Sequence, residues 1–173
     1  MQPNLLNDLA KKAYQKKDYI QAAALFNQAA DGYRQSQDPM LEAEMKNNQS
    51  VALLQGGEAQ ASLEAVKGTD LTFGKAGDLK RQGMALANQG AALQALKKKD
   101  EAARCYVDSA ELLKRTGEMD LRAEVLKSMA SLQISHGQFT DAVMSMQEGL
   151  IEVKQPSFKQ KLLKKLLFLR LWR

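Results

Sequence analysis

The chain repeats itself every forty residues, through four units, without insertion or gap. Self-similarity at a period of roughly 20–50 residues marks an array of stacked repeats, so this feature constrains the fold before any other. One column of the repeat holds Asp8, Asn48, Asn88 and Ser128. A column of small residues follows at Ala10, Ser50, Gly90 and Ala130, and a second at Ala22, Ser62, Ala102 and Ala142. Beyond it lie two columns of larger apolar residues: Phe26, Val66, Tyr106 and Met146, then Tyr33, Phe73, Leu113 and Val153. Gln37-Asp38, Gly77-Asp78 and Gly117-Glu118 form a turn column.

Each unit reads as two amphipathic helices. Small residues belong where helix backbones approach closely, and large apolar ones fill the space between neighbours. A single helix pair cannot bury its apolar face alone, so the units must stack. Composition agrees with helix: 45% of residues are hydrophobic, there are 3 Pro, and Ala, Leu, Lys, Gln and Glu are abundant. Val66 to Gly77 is the weakest helical stretch, because Gly68, Gly74 and Gly77 each cost about 1 kcal/mol relative to Ala.

The spacings Ala22-x-x-x-Phe26, Ala102-x-x-x-Tyr106 and Ala142-x-x-x-Met146 resemble the signature of the tetratricopeptide repeat (TPR) family. Asp18-Tyr19 and Gln138-Phe139 resemble its inter-helix turn. The resemblance covers residues 3 to about 155. The repeat is longer than the thirty-four residues usual for the family. In that it is similar to the extended repeats of kinesin light chain and of spindle-orienting adaptors. The usual Pro after the second helix is missing, with only Asp38-Pro39 near it, and the second unit carries Ser62 and Val66 at its key positions. The resemblance implies an all-α, right-handed α-solenoid of four helix-turn-helix units at about 3–42, 43–82, 83–122 and 123–156.

It also implies a concave groove lined by the first helix of each unit, and a scaffold that binds a protein or peptide there. The groove positions in this sequence are Asn7, Asp8, Lys11, Tyr14 and Gln15, then Glu44, Asn47, Asn48, Val51 and Gln55. The third unit contributes Met84, Ala87, Asn88, Ala91 and Gln94, and the fourth Lys127, Ser128, Ser131, Ile134 and Ser135. Asn48 and Asn88 are the sharpest candidates, since a carboxamide both donates to and accepts from a peptide main chain. The alternative is that each caps local backbone or faces water. Small residues such as Ala87, Ala91 and Ser131 leave room for a partner helix or strand. Some family members clamp a chaperone's terminal carboxylate with basic residues. Here Lys11 and Asn48 match part of that clamp, but Met84 and Asn88 stand where basic residues are needed, so no such clamp is expected.

Residues 157–173 differ from the body. They hold Lys159, Lys161, Lys164, Lys165, Arg170 and Arg173 and no acid, and removing these six from the net charge of +5 leaves the rest at about −1. The basic character is therefore one local tail, and nucleic-acid binding is not expected. Pro156-Ser157 breaks the chain, and Phe158, Leu162, Leu163, Leu166, Leu167 and Leu169 share half a helical wheel with Lys161, Lys164 and Lys165 opposite, while Lys159 breaks the pattern and Phe168, Leu171 and Trp172 face other directions. Such a basic amphipathic helix either caps the array or meets an anionic membrane surface or a partner. In the second case Lys161, Lys164, Lys165, Arg170 and Trp172 make the contact. The run Leu166 to Leu169 is far too short to span a bilayer. Self-association through the tail or an uncapped end is an open alternative.

Catalytic and metal sites are not expected. His136 is the sole histidine, at a helix end where it caps carbonyls, and it has no ligand set around it. Cys105 is the sole cysteine and reads as a small near-core residue, consistent with a reducing compartment. Gly56-Gly57 lacks the Lys and Ser/Thr of a phosphate loop and reads as a turn; Lys97-Lys98-Lys99 reads as a solvated turn, and Met144 and Met146 as core filler. Met1 to Lys17 has no long apolar stretch, so no secretory leader is expected and the cytoplasm is the expected compartment, with a peripheral membrane location as the alternative. No cofactor is expected.

Overall fold

A computed structural model describes residues 2–151 together with Val153, Pro156, Lys161, Leu162, Lys164 and Lys165. Nine helices are present among the described residues: α1 Pro3–Gln15, α2 Tyr19–Gln35, α3 Pro39–Gln55, α4 Ala59–Val66, α5 Thr69–Lys75, α6 Leu79–Ala95, α7 Lys99–Arg115, α8 Met119–Ser135 and α9 Phe139–Ile151. Apart from the short consecutive pair α4 and α5, which pack chiefly on α3 and α6, each helix packs on its neighbours in sequence, as in a solenoid. The first helices of units two, three and four also touch directly, α3 with α6 and α6 with α8.

The spacing of the turns is finer than the repeat. A residue with positive φ recurs every twenty positions, at Lys17, Gln37, Gly57, Gly77, Lys97, Gly117 and Gly137. The N–H of the residue after it always closes back onto a carbonyl in the last turn of the helix. Asp18 donates to the Ala13 carbonyl, Asp38 to Tyr33, Glu58 to Leu53, Asp78 to Phe73, Lys98 to Leu93, Glu118 to Leu113 and Gln138 to Gln133, all at 2.9–3.0 Å. This is the Schellman closure, which satisfies carbonyls that the helix end leaves open. Acidic side chains then start several of the following helices. Asp18 accepts from Gln21 N–H at 3.3 Å, Asp38 from Leu41 N–H at 3.0 Å and Asp78 from Arg81 N–H at 2.9 Å.

The small columns sit where two helices of a unit meet. Ala10, Ala22 and Ala102 are fully buried, as is Ser62, and Ser50, Ala130 and Ala142 nearly so. A Cβ added at Gly90 would lie 2.8 Å from Tyr106 Cε1 and 3.3 Å from the Ala102 carbonyl oxygen. In unit two the hydroxyls of Ser50 and Ser62 lie 2.9 Å apart, and Ser62 Oγ also donates to the Ser50 carbonyl at 2.9 Å. A second close approach was not visible in the columns: Ser109 Oγ donates to the Gly83 carbonyl at 2.7 Å, where α7 crosses α6. Of the large columns, Phe26, Val66, Phe73, Tyr106, Leu113 and Val153 are buried. Burying side chains of this size contributes about 1.5–3 kcal/mol apiece.

The second helix of unit two corrects the expectation of two helices per unit. It is broken into α4 and α5 by Gly68, whose φ is +81. Thr69 Oγ1 donates to the Val66 carbonyl at 2.8 Å and Thr72 Oγ1 to the Gly68 carbonyl at 3.2 Å, which satisfies part of the interrupted ladder. Met144 also departs from its expected core role: it is 61% exposed, and only Met146 of the two is partly buried.

Ion pairs join helices that pack on one another, some successive in the chain and some not. Arg34 of α2 pairs with Glu42 of α3 at 2.9 Å, and Lys46 pairs with the same carboxylate at 2.8 Å. Arg81 of α6 pairs with Glu44 of α3 at 3.1 Å and with Asp78 at 2.6 Å, and its guanidinium lies 5.3 Å from the Phe73 ring. Lys80 meets Glu118 at 2.7 Å, and the buried Arg122 of α8 meets Glu148 of α9.

Two expectations follow from these turns and caps. Lys17, Gln37 and Lys97 occupy a backbone region that costs an L-residue about 1–2 kcal/mol, a cost that glycine does not bear. Lys17→Gly, Gln37→Gly and Lys97→Gly should each raise the urea midpoint, by stability gains of about 1 kcal/mol, whereas Gly117→Lys should lower it by a similar amount. Asp78 is held below the usual carboxylate range by the Arg81 N–H, which outweighs its partial burial, with the Arg81 guanidinium adding to the effect. Burial opposes ionisation of Glu42, but hydrogen bonds from Lys46 and Arg34 overcome it and lower that pKa too. A depressed carboxyl binds its proton less readily in the folded chain than in the unfolded one. Its contribution is thus complete above about pH 5 and lost as pH falls through the low-pH carboxylate range. Asp78→Ala should cost about 1 kcal/mol at pH 7 and flatten the acid limb of a stability–pH curve.

Candidate functional site

Some of the expected groove positions on α1, α3, α6 and α8 line two depressions; Asn7, Asp8, Glu44, Asn47, Gln55, Met84, Ala87, Asn88, Ile134 and Ser135 line neither. Lys11, Tyr14 and Gln15 of α1, Phe26 of α2, and Asn48 and Val51 of α3 line a cavity of about 290 Å³. Ala91 and Gln94 of α6, Tyr106 of α7, and Glu124, Lys127, Ser128 and Ser131 of α8 line another of about 350 Å³. The two are the same place in the repeat, two units apart: Phe26 corresponds to Tyr106, Asn48 to Ser128 and Val51 to Ser131.

Their chemistry differs. The first is floored by Phe26, with Tyr14 held edge-on to Tyr19 at a centroid distance of 5.3 Å and an interplanar angle of 64°. Desolvation raises the Tyr14 pKa, with a smaller contribution from Tyr19, so its hydroxyl remains a neutral donor or acceptor. Lys11 at its rim is exposed and makes no ion pair among the described residues. In the second, Tyr106 donates its hydroxyl to Gln94 Oε1 at 2.8 Å, and burial pushes its pKa up to about 12. Lys127 there is paired to Glu124 at 3.1 Å. The first depression is thus the more apolar, and the second presents amide, hydroxyl and balanced charge.

The asparagines separate. Asn88 Nδ2 donates to Asn47 Oδ1 at 3.0 Å, joining α6 to α3. Asn88 therefore spends its carboxamide on an interhelical bond, neither capping local backbone nor facing water alone, while Asn48 lines the first depression. Asn47 is 7% exposed, so its side chain is structural in this arrangement. Asn7 Oδ1 is buried without a hydrogen-bond partner. The pairing joins positions forty-one residues apart, a shift of one from the repeat period, and for that reason a column-by-column reading missed it.

The remaining candidates are now placed. His136 Nδ1–H donates to the Leu132 carbonyl at 2.8 Å, the capping role expected of it, with Ser135 Oγ 2.9 Å from the same nitrogen. Cys105 is half-buried, and desolvation raises its thiol pKa, with Asp108, Asp70 and Glu101 adding to the effect, which disfavours the nucleophilic thiolate. Gly56 and Gly57 form the turn after α3, and Lys97, Lys98 and Lys99 form the turn and first residue of α7. No group of three or more metal-ligating side chains occurs among the described residues, and no described helix is long and apolar enough to cross a membrane. Lys161 and Lys165 are exposed in helical conformation, Lys164 is partly buried, and Leu162 is 50% exposed. Arg170 and Trp172 lie outside the described residues.

No protein-family model matches the sequence, and no curated protein matches it. Solved structures do resemble the fold. A point variant of a Podosopora anserina protein, described as a kinesin light chain with nearly identical TPR-like repeats, has a TM-score of 0.77 at 14% identity. The match covers 96% of this chain and 83% of that one. Another crystal structure carrying that description gives 0.75 at 15% identity, over 95% and 84%. BtubC (BKLC) from P. vanneervenii gives 0.76 at 17% identity, over 94% of this chain and 70% of its own. Identities this low speak to architecture alone, and on that evidence the chain has the fold of a TPR-like helical-repeat solenoid.

Proposed function

We propose that this chain is a non-catalytic cytoplasmic adaptor that holds a peptide or helix of another protein in the groove formed by α1, α3, α6 and α8. The observation that carries the reading is the first depression: an aromatic floor at Phe26, walls from Tyr14 and Val51, and the Asn48 carboxamide beside them. Concave, mostly apolar sites with a few placed polar groups are where proteins seat ligands. Its counterpart two units along gives an extended ligand a second, more polar station. Of the side chains weighed for catalysis, His136 caps the Leu132 carbonyl, and desolvation raises the Cys105 thiol pKa, which disfavours the thiolate.

Peptides selected from a random library on the full chain provide the test. Val51→Arg, which puts a charge into the apolar depression, should weaken the selected peptides at least tenfold by calorimetric titration, with little change in Tm. Ala91→Arg should weaken only those long enough to reach the second depression. Selected peptides that bind both variants as well as the parent would place the interaction elsewhere.

The tail supports a second reading, in which residues 157–173 hold the adaptor to an anionic membrane surface. Exposed Lys161 and Lys165 flanking a half-exposed Leu162 have the amphipathic character that a headgroup layer accepts. Each basic residue near an anionic surface contributes about 1 kcal/mol. Vesicles rich in phosphatidylserine should then sediment the full chain at low salt and release it at high salt, and a 1–156 truncation should stay in solution with its Tm unchanged. A truncation that loses Tm, from a full chain that never binds, would make the tail a cap.

A further inference from the structure

The junction between units two and three is built differently from its neighbours. In units one and three the second helix is a single rod, α2 and α7 having 17 residues each. In unit two Gly68 divides it into α4 of 8 residues and α5 of 7. Among the described residues the apolar core is divided at the same place. One buried cluster joins α1, α2 and α3 and ends at Met45 and Ala52, and another joins α6, α7 and α8 from Leu93 onward. Between them lies a small cluster of Ala43, Val66, Phe73 and Ala85, with Met40 packed against it. The intervening α4 is shared, since Ser62 bonds to Ser50 of α3 while the partly buried Leu63 reaches the edge of the second large cluster. Polar bonds cross the same junction: Glu44 with Arg81 at 3.1 Å, Asn47 with Asn88 at 3.0 Å and Asp70 with Gln89 at 2.7 Å. The Glu44 and Arg81 side chains are each 37% exposed.

We propose that this junction is a joint about which the array bends, with α1 to α3 moving as one body, α6 to α9 as the other, and the Arg81–Glu44 pair as a latch that holds the angle. A helix resists bending through its continuous ladder of hydrogen bonds. That ladder runs the length of α2 and α7 but is interrupted at Lys67 and Gly68, and side-chain hydroxyls restore only part of it. Residues at the ends of elements are where hinge rotations are absorbed. Gly68 has a φ of +81 and no neighbour within 4 Å of where a Cβ would stand, so its backbone is not wedged in place. Motion concentrates where few apolar groups are buried. The latch is electrostatic and partly exposed, so salt screens it, whereas the apolar clusters on either side are not held by charge. The first depression lies wholly on one body and the second wholly on the other, so the bend sets the distance between them. A ligand that fills both selects one bend, and a ligand in a single depression is indifferent to it. That consequence rests on the groove reading above; the joint itself does not.

Paired nitroxide labels on the full chain test it, in a Cys105→Ser background that removes the native thiol. Ala24, Arg104 and Met144 are exposed and share one column of the repeat. Labels at Ala24→Cys and Arg104→Cys span the joint, and labels at Arg104→Cys and Met144→Cys lie within the second body. Raising salt to about 1 M, where the Debye length is about 3 Å, should at least double the width of the distance distribution across the joint and leave the other unchanged. Glu44→Gln and Arg81→Met should each give the same broadening at low salt, and the unchanged distance within the second body shows that the variants are folded. A distance across the joint that ignores salt and both variants overturns the proposal. Equal broadening of the two distances overturns it as well, because that is general loosening. Library-selected peptides separate the joint from the groove. Those lost on both Val51→Arg and Ala91→Arg should change affinity at least threefold on Glu44→Gln, and those lost on Val51→Arg alone should not. Spanning peptides that ignore Glu44→Gln overturn the coupling of bend to ligand. Peptides indifferent to Val51→Arg and Ala91→Arg sink the groove reading, and the joint then stands or falls on the distances.

Discussion

How closely two helices of a unit can approach decides nearly everything else. At Gly90 there is no room for a Cβ between α6 and the Tyr106 ring, and at Ser50 and Ser62 two hydroxyls meet at 2.9 Å inside the contact. Backbones this close can be lined only by Gly, Ala or Ser. The larger side chains are thereby displaced to the flanks, where Phe26, Phe73, Tyr106 and Leu113 fill the space toward neighbouring helices. The stack is the outcome, since helix pairs joined in this way leave an apolar flank that only another pair can cover. The groove is a by-product of the same geometry.

Much of this was legible in the residues. The small columns marked the close approach, and the large columns marked the flanks; both are properties of residue size, which a sequence states outright. Gly77 and Gly117 announced helix ends because glycine tolerates positive φ. The twenty-residue spacing was harder to see, because Lys17, Gln37 and Lys97 take the same backbone conformation without being glycine. Backbone hydrogen bonding imposes that conformation, so side-chain identity is a poor guide to it. The α4–α5 break was half legible. Its three glycines weakened the prediction, but only the structure shows that Gly68 interrupts the helix while Gly74 stays inside α5.

The candidate site was legible as a set of positions and not as a set of roles. Lys11, Tyr14, Asn48 and Val51 do come together, as do Ala91, Ser128 and Ser131. Asn88 is bonded to Asn47 across the contact of α6 with α3, whereas Asn48 lines the first depression. The position of one helix relative to the next sets whether two amides meet, and a column of letters carries no such distance. Phe26, too, was assigned to the core by its column, although it forms the floor of the first depression as well. A residue can satisfy packing on one edge of its ring and face a cavity on the other.

The even spacing of the turns also bears on how a gene for such a chain can change. One residue added inside a helix turns everything beyond it by about 100°, which swings the small stripe out of its contact. Loss or gain of forty residues restores the phase of both helices and both turns together. Length in this fold is therefore quantised: a change of whole forty-residue units keeps the small stripe in register, whereas a single added residue does not.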